Sequence, residues 1–124
     1  MKTLRFIFLV FICLLFQGCP PLGSVEFYNH SGTDITVRWA DKEVTVPAGA
    51  SAIVKSYAFP ETMDIRTGRN TWHYLPRFPG RSYMYPGYSF GLRVEPDGKV
   101  YAVQSAEAST RFTGQPPGYP LIPK

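Results

Sequence analysis

The chain has 124 residues, of which 13 are Lys or Arg and 9 are Asp or Glu, giving a formal charge of +4. This length fits a single domain, and a core of that size folds without disulfides or metals. The composition, with 15% aromatic and only 18% charged residues, excludes a disordered acidic or basic tail.

The N-terminal segment has the organisation of an export signal. Lys2 and Arg5 precede an unbroken run of 11 apolar residues, 6–16. The run is too short for a transmembrane helix, which needs about 20 residues, but it suits the hydrophobic region of a signal peptide. Gly18 and Cys19 follow the run, and this order resembles the lipobox of bacterial lipoproteins.

The lipobox resemblance implies cleavage before Cys19 and attachment of acyl chains, such as palmitate, to that residue. Each buried methylene contributes about 0.8 kcal/mol, so several acyl chains would anchor the protein firmly to a membrane. Pro20 is not the Asp associated with inner-membrane retention, which favours the outer membrane if the source is Gram-negative. An ordinary secretory signal with an incidental cysteine is the alternative.

The predicted mature chain carries 11 basic and 9 acidic residues, a charge of +2. Such a mild charge on an exported protein, without a recognisable module, predicts no nucleic-acid partner. Cys13 leaves with the signal and Cys19 carries lipid, so we expect no disulfide. The predicted parts are a signal peptide over 1–18, a lipidated tether over 19–24, a folded domain over 25–104 and an extended proline-rich tail over 105–124.

Short runs of alternating apolar residues, broken by turn residues, predict strands along the folded domain. In the clearest row, Ile35, Val37 and Trp39 alternate with polar residues, so this strand is half-buried and Trp39 faces the core. The other strands are predicted over 25–29, 44–46, 51–57, 63–67, 71–75, 88–94 and 99–103.

The turns between these runs favour an all-β fold. Pro96 and Gly98 suit the turn positions of Glu95-Pro96-Asp97-Gly98, which predicts a hairpin. One helical turn is expected over 105–110, and the four prolines of 114–124 exclude a helix or a central strand. Seven or eight short strands predict a single antiparallel β-sandwich, with a small β-barrel as the alternative.

The opening strands carry a second resemblance, in Val25–Ser31, Val37–Trp39, Pro47–Gly49 and Val54–Tyr57. The order of these segments within 25–57 resembles the first strands of the von Hippel–Lindau β-domain. That family has a β-sandwich that binds a hydroxyproline-containing peptide, so the resemblance implies the fold. Of the family's peptide-contacting residues only one Ser has a counterpart, Ser56, and the resemblance therefore implies no function.

Residue patterns for catalysis are weak. His30 and His73 have no patterned acidic partner, no Gly-x-Ser-x-Gly motif is present, and the mature chain's cysteine is the lipidated one. The carboxylates are scattered along the sequence, so we expect them to lie on the solvated surface. We therefore expect no enzyme, no catalytic residue, no metal site and no cofactor. The scattered carboxylates are Asp34, Asp41, Glu61 and Asp64.

Residues 65–94 stand out because they contain five Arg, no acid and seven of the 15 aromatic residues of the mature chain. Arg binds carboxylates and phosphates, and Tyr, Trp and Arg dominate interface hot spots. Aromatic residues on strands are expected in the core, whereas the proline-broken loop 76–87 is expected to expose rings beside arginines. The candidate binding surface comprises Arg66, Arg69, Arg77, Phe78, Arg81, Tyr83 and Tyr85.

Together these patterns predict a lipid-anchored lipoprotein of the bacterial envelope that acts as a binding or interaction module. Its expected partners are the membrane, through Cys19, and a protein or an anionic or glycan component of the envelope. Two alternatives stay open: a structural lipoprotein that helps assemble an envelope complex, and an inhibitor that blocks an envelope or host hydrolase with the loop 76–87.

Overall fold

A computed structural model describes residues 23–55, 59–84, 89–103 and 111–124. Several predicted features lie outside these residues: the signal peptide, Cys19, Ser56, Tyr85 and the helical turn over 105–110. No helix within the described ranges has the length and hydrophobicity needed to cross a bilayer. The described elements are β1 (Ser24–Asn29), β2 (Ile35–Trp39), β3 (Lys42–Val46), β4 (Ser51–Lys55), β5 (Met63–Arg66), β6 (Thr71–Tyr74), a 3₁₀ helix (Arg81–Tyr83), β7 (Ser89–Val94) and β8 (Val100–Val103).

The strands form two four-stranded sheets, with the orders β4-β1-β7-β8 and β3-β2-β5-β6. Neighbouring strands are antiparallel except for β1 and β7, which run parallel. Both sheets place their apolar side chains in one shared core. The all-β sandwich, the first of the two architectures that the sequence left open, is confirmed.

The core follows from the period-2 alternation of the strands. Along β2, Ile35 and Val37 are buried, whereas Arg38, between Val37 and Trp39, is exposed. Trp39 is also fully buried, as predicted, and its ring packs edge-on against Phe27 and Phe59 with centroid distances of 5.6 Å and 5.2 Å. Because this large ring is fully removed from water, Trp39 contributes strongly to the hydrophobic stabilisation of the fold.

Strand register gives the sandwich two distinct ends. At the end where β1 begins, Ser24 pairs with Lys55 and Ser89, and Trp39 of the other sheet pairs with Met63. We call this the near end, because the chain preceding β1 arrives there. The opposite end, termed the far end, carries the loops 30–34, 47–50, 67–70 and 95–99.

The turn between β7 and β8 lies at the far end and has the predicted hairpin form. The Glu95 amide donates to the Lys99 carbonyl at 2.9 Å, and the Gly98 amide donates to the Glu95 carbonyl at 3.0 Å. Gly98 has φ +84°, and a Cβ there would lie 2.9 Å from the Pro123 side chain. Glycine is therefore required at this position by both the backbone and the close packing.

The proline-rich segment 111–124 is extended and covers the side of the sandwich between β8 and β6. Leu121 exchanges two backbone hydrogen bonds with Val100 of β8, and the Lys124 amide donates to the His73 carbonyl of β6 at 2.8 Å. Tyr119 and Leu121 are buried in the core. The segment thus shields two edge strands that would otherwise offer unpaired backbone groups to other chains.

Candidate functional site

The structure separates the arginine- and aromatic-rich residues into two groups at opposite ends of the sandwich. Arg66 and Arg69 lie at the far end, where β5 ends and the β5–β6 loop begins. The loop that contains Arg77 and Arg81 leaves β6 and returns to β7 at the near end. The sequence pattern predicted one surface from these residues, whereas the fold makes two regions with different surroundings.

A cleft of about 570 Å³ occupies the far end, where the β1–β2 loop, the β5–β6 turn and the β7–β8 turn converge. Its volume lies within the range of small-molecule binding sites, about 300–1,000 Å³. Eight of its nine lining residues lie in loops or turns, and the ninth is an aromatic residue of β6. The lining residues are Ser31, Thr33, Asp34, Thr67, Gly68, Arg69, Asn70, Trp72 and Pro96.

The first wall of the cleft is fixed by Asn29, a polar side chain that is fully buried. Its amide nitrogen donates to the carbonyls of Thr33 and Val46, at 2.7 Å and 2.8 Å. Its amide oxygen accepts from the Ser31 amide at 3.0 Å and from the Ser31 hydroxyl at 2.6 Å. Three of these hydrogen bonds fix the β1–β2 loop, and the fourth joins Asn29 to the end of β3.

The same wall presents a carboxylate. Asp34 is exposed, and its Oδ1 accepts a hydrogen bond from the Ala48 amide at 3.0 Å. This contact joins the β1–β2 loop to the β3–β4 turn and fixes the carboxylate at the cleft. An ionised carboxylate has further acceptor capacity, which a hydroxyl-bearing ligand is able to use.

The opposite wall is a compact turn organised by Thr67. Its hydroxyl oxygen accepts from the amides of Asn70 and Arg69, at 2.9 Å and 3.2 Å, and its own amide donates to the Asn70 carbonyl at 2.8 Å. Arg69 and Asn70 are both exposed, and the guanidinium of Arg69 makes no ion pair with any described residue. These two side chains therefore stand on a rigid turn with donors available to a ligand.

Trp72 supplies the aromatic part of the cleft. It is half-buried, packs against the core, and lies so close to Gly98 that a Cβ there would approach the indole to 3.1 Å. The Tyr74 hydroxyl donates to the Gly98 carbonyl at 2.6 Å and ties the same turn to β6. Burial, with a smaller contribution from the Asp97 carboxylate, raises the pKa of Tyr74 above its ordinary value, so the phenol stays a donor.

Sequence reasoning found only one cleft residue, Arg69. The position of Trp72 on the predicted strand 71–75 indicates a place in the core, and Asp34 belongs to the acids predicted on the solvated surface. The useful signal was present, because Ser, Thr, Asn, Asp and Gly cluster in several turns. Which turns meet depends on the strand pairing between distant parts of the chain, and local patterns do not report that pairing.

The near-end loop, described over residues 75–84, combines aromatic rings that pack on the fold with exposed arginines. Phe78 is 47% exposed, and its ring packs edge-on against Phe59 at 5.9 Å. Tyr83 is half-buried against Phe112, with ring centroids 4.8 Å apart. Arg81 is exposed at the start of the 3₁₀ helix.

Arg77 ties this loop to the C-terminal segment. Its carbonyl accepts the Tyr119 hydroxyl at 2.6 Å, and its side chain lies so close to Gly118 that a Cβ there would approach Arg77 Cδ to 2.7 Å. The side chain of Arg77 is exposed. Arg77 thus combines a fixed backbone position with a solvent-facing charge.

One histidine has an acidic neighbour in the fold. His73 Nδ1 lies 2.7 Å from Asp64 Oδ1 across the β5–β6 pair, beside a smaller cavity of about 330 Å³ that Thr62 and Leu75 help to line. The pair is largely exposed, and cross-strand pairs of this kind stabilise a sheet modestly. Within the described ranges, no group of three His, Cys, Asp or Glu residues has the geometry to hold a metal ion.

Comparison of the chain with family models, curated proteins and solved structures finds no match. The resemblance of residues 25–57 to the von Hippel–Lindau β-domain and the lipobox resemblance around Cys19 therefore stay predictions. The two regions whose geometry bears on function are the far-end cleft and the near-end loop.

Proposed function

We propose that the protein is a lipid-anchored lipoprotein of the bacterial envelope that binds a glycan in its far-end cleft. The observation that carries this proposal is the cleft itself, in which an aromatic side chain and several polar groups converge from three rigid loops. Binding rather than catalysis is the proposed activity.

The mixture of groups in the cleft favours a sugar over other ligand classes. The apolar face of a sugar ring packs on an aromatic side chain such as Trp72, and its hydroxyls hydrogen-bond to Asp34 and Asn70. A purely apolar ligand would leave those polar groups without partners, at a cost of about 1–3 kcal/mol for each group. A polyphosphate would place its negative charge beside Asp34. A hydroxyl-rich ligand avoids both penalties, and Arg69 suits one that also carries a carboxylate.

The direction of the chain supports the same function. Cys19, the predicted anchor, precedes the near end by only a few residues, and the cleft opens at the far end. A protein held to a membrane by Cys19 would therefore direct its cleft away from the bilayer, where envelope polysaccharides are accessible.

Immobilised glycan strands of peptidoglycan and lipid-free envelope polysaccharides are suitable probes for this proposal. The protein used is the chain from residue 19 with Cys19→Ser, compared with its Arg69→Ala/Asn70→Ala variant. Loss of a hydrogen bond to a charged group costs about 1.5–3 kcal/mol, so we expect affinity to fall at least about tenfold. Both side chains are exposed, and the midpoint of urea unfolding should stay unchanged.

Arg81→Ala/Ser82→Ala is the matched control, since it removes an arginine and a neighbouring polar residue from the near end. It should bind the same glycan as the parent protein does. Absence of binding to every probe, or equal losses in the two double variants, would contradict the assignment of the cleft.

A further inference from the structure

We propose that the near-end loop is a contact surface for an anionic phospholipid bilayer, an inference that rests on the proposed lipid anchor. The surface consists of Phe78, Arg77 and Arg81, three exposed residues of the same loop. It is separate from the cleft, lies at the opposite end of the sandwich, and assigns a role to the basic aromatic loop that glycan binding does not use.

The length of the tether places the near end close to the bilayer. Four residues, 20–23, separate the predicted anchor, Cys19, from Ser24 at the start of β1. The five residue steps from Cys19 to Ser24 span at most roughly 18 Å when fully extended. A tether this short lets the near end come within one Debye length of the headgroups, about 8 Å at physiological ionic strength, which is the range over which their negative potential acts on surface charges.

The side chains at this end match such a surface in shape and polarity. Phe78 exposes 47% of its surface while Phe59 supports the other side of its ring, so an apolar group protrudes from a fixed base. Aromatic side chains flanked by arginines are typical of the interface between hydrocarbon and headgroups. Insertion of Phe78 would bury apolar area without any rearrangement of the fold.

The charges at this end favour anionic lipid. The described part of the loop, 75–84, contains Arg77 and Arg81 and no acidic residue, and Lys55 at the end of β4 is also exposed. Two acids, Asp41 and Glu61, lie at the same end, where a fourth basic residue, Lys42, begins β3. The described residues of the near end thus carry a net positive charge, and half of its basic residues lie on the segment that carries the protruding ring.

A position-specific fluorescence measurement tests this surface. The protein from residue 19, with Cys19→Ser and an N-terminal hexahistidine tag, is held on vesicles by a nickel-chelating lipid in place of its own acyl chains. Ser82→Cys places a nitrobenzoxadiazole label in the near-end loop, and Thr33→Cys places it at the far end. Both parent residues are exposed.

On vesicles that contain phosphatidylglycerol, we expect a blue-shifted emission at position 82 and quenching by spin-labelled lipid. The label at position 33 should show neither effect. Arg77→Gln/Arg81→Gln should reduce the quenching at position 82 by about half or more, because the attraction to anionic lipid scales with the number of basic residues. Arg38→Gln, on an exposed position of β2, is the control and should leave the signal unchanged.

Identical emission at the two positions, or quenching that the double arginine variant leaves intact, would overturn the proposed contact. Because the tag replaces the acyl chains, this result does not depend on acylation of Cys19. A separate measurement, labelling of the wild-type protein with a palmitate analogue in cells, decides the anchor. A protein that fails to incorporate the analogue but shows the vesicle signal would refute the anchor and retain the contact surface.

Discussion

Different interactions stabilise the two ends of the sandwich. At the far end, polar side chains hydrogen-bond to the backbone of the loops, as Asn29 and Thr67 do. At the near end, aromatic rings pack on one another, with Trp39, Phe59 and Phe78 in a continuous series of edge contacts. Hydrogen-bonded loops fix polar groups in place for a ligand, whereas packed rings provide stability and leave an apolar edge at the surface.

This difference predicts that substitutions at the two ends have different consequences. Loss of a ring at the near end removes buried apolar surface from the core, so the main effect is on the free energy of unfolding. Loss of an exposed polar group at the far end leaves the core intact, so the main effect is on ligand affinity. Variants at either end, and at the proposed anchor that would orient the molecule, therefore test the contrast.

The largest expected effect is on localisation. Cys19→Ala removes the site of the predicted acylation, and the protein should move from the membrane fraction to the soluble fraction. Each lost acyl chain removes about 0.8 kcal/mol of membrane affinity per buried methylene, which a few surface contacts do not replace. Cell fractionation followed by a carbonate wash is the measurement. A variant that stays in the membrane after the wash would show that the lipobox assignment is wrong.

The next largest effect is on folding, through Trp39. Trp39→Ala should lower the free energy of unfolding by about 3–5 kcal/mol, since it empties a large, fully buried site. A domain of this size has about 5–15 kcal/mol in total, so the variant is expected to be marginally stable. Urea unfolding followed by far-ultraviolet circular dichroism gives the difference. Ile53→Ala, at a residue that is 58% exposed, is the control and should change little.

Asn29 tests the far end. Asn29→Ala removes four hydrogen bonds and leaves the buried carbonyl of Val46 without its side-chain donor, for an expected loss of about 2–3 kcal/mol. Unlike Trp39→Ala, it should also weaken glycan binding under conditions in which the protein stays folded, because the β1–β2 loop is no longer fixed. Asn70→Ala should weaken binding alone. If folded Asn29→Ala bound the glycan with unchanged affinity, the arrangement of the β1–β2 loop would not contribute to binding.

The sequence was sufficient to predict most of the strands and the buried position of Trp39. Alternation of apolar and polar residues is a local property, and the Pro96–Gly98 turn is defined by adjacent residues. The arrangement of the strands is not local, since β1 lies between β4 and β7 and pairs in parallel with a strand more than 60 residues later.

The candidate site depends on that non-local arrangement, so it was predicted only in part. Arg69 and Arg81 belong to one basic run in the sequence, but the pairing of β6 with β5 and of β7 with β1 sends them to opposite ends. Trp72 follows the same alternation as the buried Tyr74, and only its place on an edge strand, beside the β7–β8 turn, brings it to the cleft.

The smallest expected effects come from two buried phenols that tie down one end each. The Tyr74 hydroxyl donates to the Gly98 carbonyl at the far end, and the Tyr119 hydroxyl donates to the Arg77 carbonyl in the near-end loop. Tyr74→Phe and Tyr119→Phe should each lower the free energy of unfolding at pH 7 by about 1 kcal/mol. Only Tyr74→Phe should also reduce glycan affinity, because Pro96 of the cleft belongs to the turn that Tyr74 holds. Equal losses of glycan affinity in the two variants would mean that the two ends are energetically coupled rather than independent.

The same pair of residues predicts an alkaline dependence of stability. Burial raises the pKa of both phenols above the value of about 10 that they have in the unfolded chain. Below about pH 10 the phenols are protonated in both the folded and the unfolded state, so their contribution to the free energy of unfolding is fully present. As pH rises further, the unfolded state loses protons that the folded state retains, so the free energy of unfolding decreases. Urea unfolding between about pH 7 and pH 11 should show this decrease, and each Phe variant should show a shallower one.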